Sequence, residues 1–143
     1  MAKKKKQPLL DDAVPDLSIA INELESEYIQ MPNALYKAGI RVAQCRSEVS
    51  RLALNLSVLK GELAPQLSEE VRLTTGRAPS VDMLRGLVIS HHTTQEADLK
   101  LIGAQERLRR AEALFDGLRA KKMMLVSLGA DRRKATGPGD TCF

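Results

Sequence analysis

From Leu35 onward the apolar residues of this chain step by alternating threes and fours: Leu35, Ala38, Val42, Cys45, Val49, Leu52, Leu56, Leu59 and Leu63. That spacing fills the a and d positions of four unbroken heptads, the stripe a helix buries against a partner in a coiled coil. At about 1.5 Å per residue the stripe alone runs roughly 42 Å. A second stripe follows through Ala97, Leu101, Ala104, Leu108, Ala111, Phe115 and Leu118, and reaches Leu125 after one lapse at Lys122. Two stripes of matching length predict two long helices, over 33–73 and 93–129, folded back on one another as an antiparallel coiled-coil hairpin.

The residues between and around the stripes mark where these helices stop. Asp16 is a candidate N-cap, and Leu17, Ile21, Leu24, Tyr28 and Met31 follow at helical spacing until Pro32, which predicts a separate short helix over 16–31. Pro65 predicts a kink or stop, beyond which Leu67, Val71 and Leu73 carry the pattern for further turns. A turn is expected from Thr74 to Pro79. Ser80 then caps a short helix over 80–91 bearing Met83, Leu84, Leu87 and Val88, and Thr93 with Glu96 has the spacing of a capping box for the last helix. Gly129 reads as its C-terminal cap. Residues 1–15, with Pro8 and Pro15, have too little apolar content to offset the entropy of ordering and read as a mobile arm. Residues 135–143, with Gly137, Pro138 and Gly139, read as a disordered tail. The expectation is an all-α domain over 16–134 in which short helices flank the hairpin. Ile40, Leu54, Val58, Leu99, Ile102, Leu114, Met124, Val126 and Leu128 fall off both seams, so side-by-side packing of copies into a homo-oligomer is expected.

Composition narrows the fold class further. Aromatic residues make up 3% of the chain and tryptophan is absent, which disfavours strands. No apolar run approaches the roughly 20 residues of a membrane-spanning helix. The cluster Lys3 to Lys6 leads into Gln7, Pro8, Asp11 and Asp12 rather than into an apolar signal core, so no membrane partner and a cytoplasmic location are expected. Cys45 and Cys142 are too few for a disulfide framework. The net charge of +4 conceals a separation. Leu9 to Met31 carries Asp11, Asp12, Asp16, Glu23, Glu25 and Glu27 without one base, whereas the chain from Pro32 to Lys134 is strongly basic. A basic body of this kind suits a polyanion partner.

Little in the chain resembles catalytic machinery. His91 and His92 are adjacent, so on a helix they point about 100° apart, and no third ligand stands at metal spacing. Phosphate-binding glycine loops, nucleophile elbows and paired-cysteine motifs are missing. The chain is therefore read as a non-enzyme without metal or cofactor. Its candidate chemistry is charge: Arg72, Arg77 and Arg85 surround the interhelical turn, and Arg107, Arg109, Arg110, Arg119, Lys121 and Lys122 lie on the second long helix.

The order of parts resembles the UvsY-type recombination mediators of tailed phages. The likeness runs from about Leu17 to Arg133: an acidic leading helix, Leu35-Tyr36-Lys37 opening a long helix, an Arg-Leu pair shortly before glycine, a short helix and a final long helix ending near Arg132 and Arg133. Its most local match is Val71-Arg72-Leu73-Thr74-Thr75-Gly76, similar to the family's Lys-Ala-Arg-Leu segment, in which Arg72 takes the place of a DNA-contacting arginine. Glu70 stands where that motif carries a lysine, and Arg77 is the nearest substitute. The resemblance implies a ring-forming homo-oligomer that binds single-stranded DNA through Arg72, Arg77 and Arg85. It implies as partners a RecA-like recombinase, which it loads onto DNA, and a single-strand-binding protein, in the host cytoplasm. The alternative is a coiled-coil structural or assembly protein of a phage, a chaperone or scaffold.

Overall fold

A computed structural model describes residues 16–135, and these form an all-α structure of three helices: α1 (Leu24–Thr75), α2 (Val81–Ser90) and α3 (His92–Ala135). A single 3-10 turn, Ile21–Glu23, leads into α1. The described residues divide into two compact units, one of 16–37 with 114–135 and one of Ala38–Ala113. No helix among them is long and apolar enough to cross a membrane.

In the unit Ala38–Ala113 the heptad stripe is the buried face. Ala38, Val42, Cys45, Leu56 and Leu63 on α1 are buried, as are Ala104 and Ala111 on α3, and Val49, Leu52, Leu59, Leu101 and Leu108 are half-buried. Ion pairs flank this stripe. Arg46 Nη2 lies 3.0 Å from Glu112 Oε1, and Arg107 Nη2 lies 2.8 Å from Glu48 Oε1. As numbering rises on α1 through these pairs, it falls on α3. Exposed pairs of this kind are worth only about 0.2–1 kcal/mol each, so apolar burial rather than charge holds the unit together.

The other unit is packed differently. Leu24, Met31 and Leu125 form its buried cluster, with Ile19, Leu35 and Leu128 against it. Lys121 is also buried: its Nζ lies 2.8 Å from Glu27 Oε2 and donates to the Asp16 carbonyl at 3.1 Å. Leu17 packs on Gly117 so closely that a Cβ there would sit 2.9 Å from Leu17 Cδ1. The leading segment thus lies against α3 at Gly117.

Several expected boundaries shift. Pro32 does not end a short helix, because α1 runs through both Pro32 and Pro65. A proline inside a helix removes one hydrogen bond and crowds the carbonyl four residues back, at a cost of about 3 kcal/mol. Here both prolines are exposed, and so are Tyr28 and Gly61, whose carbonyls lose their helical partners at positions open to solvent. Burial of Leu24 and Met31 on one side of Pro32 and Ala38 on the other keeps the helix in register. Residues 16–20 are not helical, and Asp16 caps no helix. Its Oδ1 instead accepts the Ser18 N–H at 2.8 Å, and hydrogen bonds from the Ser18 hydroxyl and backbone N–H hold its carboxyl below the ordinary aspartate value. Gly129 does not terminate α3, which continues to Ala135. A Cβ at Gly129 would stand 3.3 Å from the Tyr28 hydroxyl, so the edge of that ring lies against this glycine in mid-helix. The seam crosses its lapse through Lys121, with Lys122 exposed. The arm 1–15 and the tail beyond Ala135 lie outside the described residues.

Candidate nucleic-acid interface

The α1–α2 connection is built by its hydroxyls and one glycine. Thr74 and Thr75 each turn a hydroxyl back onto the helix, donating to the Glu70 carbonyl at 2.8 Å and the Val71 carbonyl at 2.7 Å. Gly76 then adopts φ +72°, a left-handed conformation suited to glycine, and its N–H closes the last turn on the Arg72 carbonyl at 2.8 Å. Four residues later Ser80 starts α2 as expected, its Oγ accepting the Met83 N–H at 3.2 Å.

Arg72 therefore sits on the last turn of α1, where a cation complements the helix dipole, and Arg77 sits in the connection itself. Both are exposed, and among the described residues neither has an ion-pair or hydrogen-bond partner for its side chain. Arg85, on α2, is exposed but leans toward Asp82, Nη1 to Oδ1 3.9 Å. Glu69 and Glu70 lie within a turn of Arg72 on α1, so counting Asp82 the connection carries as many carboxylates as arginines. The region offers separate exposed cations rather than a dense positive patch.

The arginines and lysines of α3 have diverse fates. Arg107 is tied to Glu48, the Arg119 guanidinium lies 5.9 Å from the centre of the Phe115 ring, and Lys121 is buried. Arg109, Arg110 and Lys122 are exposed, with no partner among the described residues. The cross-helix pairs were open to sequence reasoning, since Arg46 and Glu112 share one heptad flank and Glu48 and Arg107 the other. Lys121 was harder to anticipate: only the step of three from Leu118 and four to Leu125 marks it as the seam residue.

His91 plays a local part. Its backbone N–H closes α2 on the Val88 carbonyl, while its Nδ1 accepts the Thr93 N–H at 3.3 Å at the start of α3 and lies 2.7 Å from the Thr93 hydroxyl. The His91 and His92 rings stack with centroids 4.6 Å apart. The histidine thus takes the capping role that the sequence assigned to Thr93. Cys45 is buried in the seam with its thiol free, and no group of three potential metal ligands exists among the described residues.

Comparison with known proteins yields no matching family model, no matching curated protein and no matching solved structure.

Proposed function

We propose that this chain is an antiparallel coiled-coil hairpin that assembles side by side and binds single-stranded DNA through its phosphates, acting without catalysis as a recombination mediator of the UvsY type. The observation that supports this reading most directly is the pair Arg72 and Arg77, exposed and without side-chain partners, at the end of a long helix. In an assembly of parallel-aligned copies these arginines would repeat along one rim, and weak contacts would add by multivalency along a flexible strand. Ile40, Leu54, Val58, Leu99 and Ile102, all exposed and off the seam, supply apolar surface for such an assembly. A RecA-like recombinase and a single-strand-binding protein are the partners this reading requires, in the cytoplasm of the host cell.

The test is fluorescence anisotropy with oligo-dT between about 50 and 200 mM salt, where neutralising several phosphates makes affinity fall by orders of magnitude. The double variant Arg72→Ala, Arg77→Ala should keep its helicity and oligomeric state, bind at least tenfold more weakly and show a shallower salt dependence. A second reading, an assembly or scaffold protein, draws on the balance of Glu69, Glu70 and Asp82 against the three arginines. It becomes the better one if the parent chain oligomerises yet ignores DNA at physiological salt.

A further inference from the structure

The seam is not the only stripe with coiled-coil spacing in the unit Ala38–Ala113. On the side of α1 that faces away from the seam, alternating steps of three and four pick out Gln44, Ser47, Arg51, Leu54, Val58 and Gly61. On the corresponding side of α3 they pick out Gln95, Leu99, Ile102, Glu106, Arg109 and Ala113. Every one of these residues is exposed, and Leu54, Val58, Leu99 and Ile102 are each at least half exposed. A stripe with the spacing that helices use to pack, left open on both outer faces, has no partner within the unit.

The two stripes match one another in height. The Arg46–Glu112 and Glu48–Arg107 pairs fix which residues of α1 and α3 stand level. Carried along both helices at equal rise, that register sets Arg51 level with Glu106, Leu54 with Ile102 and Val58 with Leu99, each to within a residue or two. Within one chain these residues lie on opposite outer faces and do not meet. A second copy standing beside the first, the same way up, brings them together layer by layer. Arg51 then opposes an acid, the four large apolar residues oppose each other, and Ser47 opposes Arg109, so no layer sets like charge against like. Neither Arg51 nor Glu106 has a partner among the described residues of its own chain. A two-fold contact is less well matched. With the apolar pairs centred, α1 on α1 offers Arg51 no acid in the facing stripe, and α3 on α3 sets Glu106 against Gln95.

We propose that the outer face of α1 in one copy packs on the outer face of α3 in the next, with Arg51 against the partner's Glu106 and Leu54 and Val58 against the partner's Ile102 and Leu99. This deepens the functional reading above and rests on its side-by-side assembly, but it is independent of DNA. Because the joined faces are unlike, each added copy brings one new free face of either kind, so the row grows in one sense until it closes. All copies point the same way, which puts every α1–α2 connection on one edge.

The experiment is sedimentation velocity on the full-length chain over a dilution series. An α1-face variant, Leu54→Glu with Val58→Glu, and an α3-face variant, Leu99→Glu with Ile102→Glu, should each sediment close to the 15.7 kDa of a single chain. Mixed in equal amounts they should form a dimer and nothing larger, because each retains the one face that the other needs. The single swaps Arg51→Glu and Glu106→Arg should each weaken self-association about tenfold, and the double swap should restore it. Circular dichroism checks that helicity is kept. If the face variants lose helicity, the swaps decide, and a double swap that fails to rescue overturns the pairing. If either face variant alone still dimerises, the contact joins like faces and the proposal fails. If both assemble as the parent does, other residues carry the assembly, and the side-by-side reading survives without this interface. A parent that stays monomeric throughout overturns both.

Discussion

The two units solve the same packing problem with different materials. In Ala38–Ala113 the buried positions repeat with the heptad and many are small, Ala38, Cys45, Ala104 and Ala111 among them, while charges stay on the flanks as exposed pairs. In the unit of 16–37 with 114–135, larger side chains cluster on Leu125, a lysine takes a seam position, and glycines at 117 and 129 receive side chains from the partner segment. The first design is periodic and tolerant along its length. The second is specific, since each buried piece has one neighbour that fits it. A repeating stripe brings two helices together, whereas a buried ion pair fixes which residue stands opposite which.

The largest expected effect is at that ion pair. Lys121→Ala removes the partner of Glu27 and should destabilise the fold by about 3–5 kcal/mol, the usual penalty for orphaning a buried charge. The double variant Lys121→Met, Glu27→Leu should recover most of that loss, because apolar residues of similar volume avoid the desolvation cost. Urea unfolding followed by circular dichroism measures both. Equal destabilisation in the single and double variants would mean that Lys121 acts through its aliphatic stem rather than its charge.

Next come the two seams. Leu125, 1% exposed, leaves a cavity when cut to alanine, at a cost of about 2–5 kcal/mol. Ala104 is also 1% exposed, but there the damaging change is the opposite one: Ala104→Leu overpacks the seam and should cost about 1–3 kcal/mol. Thermal melts of the two variants test whether one unit is limited by volume lost and the other by volume gained. The smallest effects belong to the exposed pairs. Arg46→Ala and Arg107→Ala should each cost less than about 1 kcal/mol and matter less still in high salt. A larger loss at low salt would show that these pairs govern alignment as well as decorate it.

Most of the periodic unit was legible from the chain, because a buried stripe on a helix must repeat every three or four residues and each a and d position announces itself. Val42, Cys45, Leu56 and Leu63 were all read this way and are all buried. The Ser80 cap was equally plain, being a hydroxyl just ahead of an apolar turn. What escaped reading depends on contacts distant in sequence. Pro32 breaks a helix in isolation, and only burial on both sides of it carries α1 onward. Gly129 has the chemistry of a cap, yet α3 runs through it, with the Tyr28 ring lying alongside. Lys121 looks like one more surface cation until Glu27 and the Asp16 carbonyl are placed beside it. At the turn, Arg72, Arg77 and Arg85 are all exposed, and the field around them depends on Glu69 and Glu70, acids just upstream on the last turns of α1.

The contacts of Lys121 also bear on the order in which the chain folds. Its bond to the Asp16 carbonyl joins residues 105 apart, against 59 for Arg107 with Glu48. Loop-closure entropy grows with that separation, so contacts nearer the connection at Gly76 are cheaper to form early, and each one shortens the effective loop for the next. Loop closure on this account favours fastening from the connection outward and leaves the leading segment over Gly117 until late. During synthesis that segment leaves the ribosome before α3 does, yet it must wait for the far end of α3 before it has anywhere to dock.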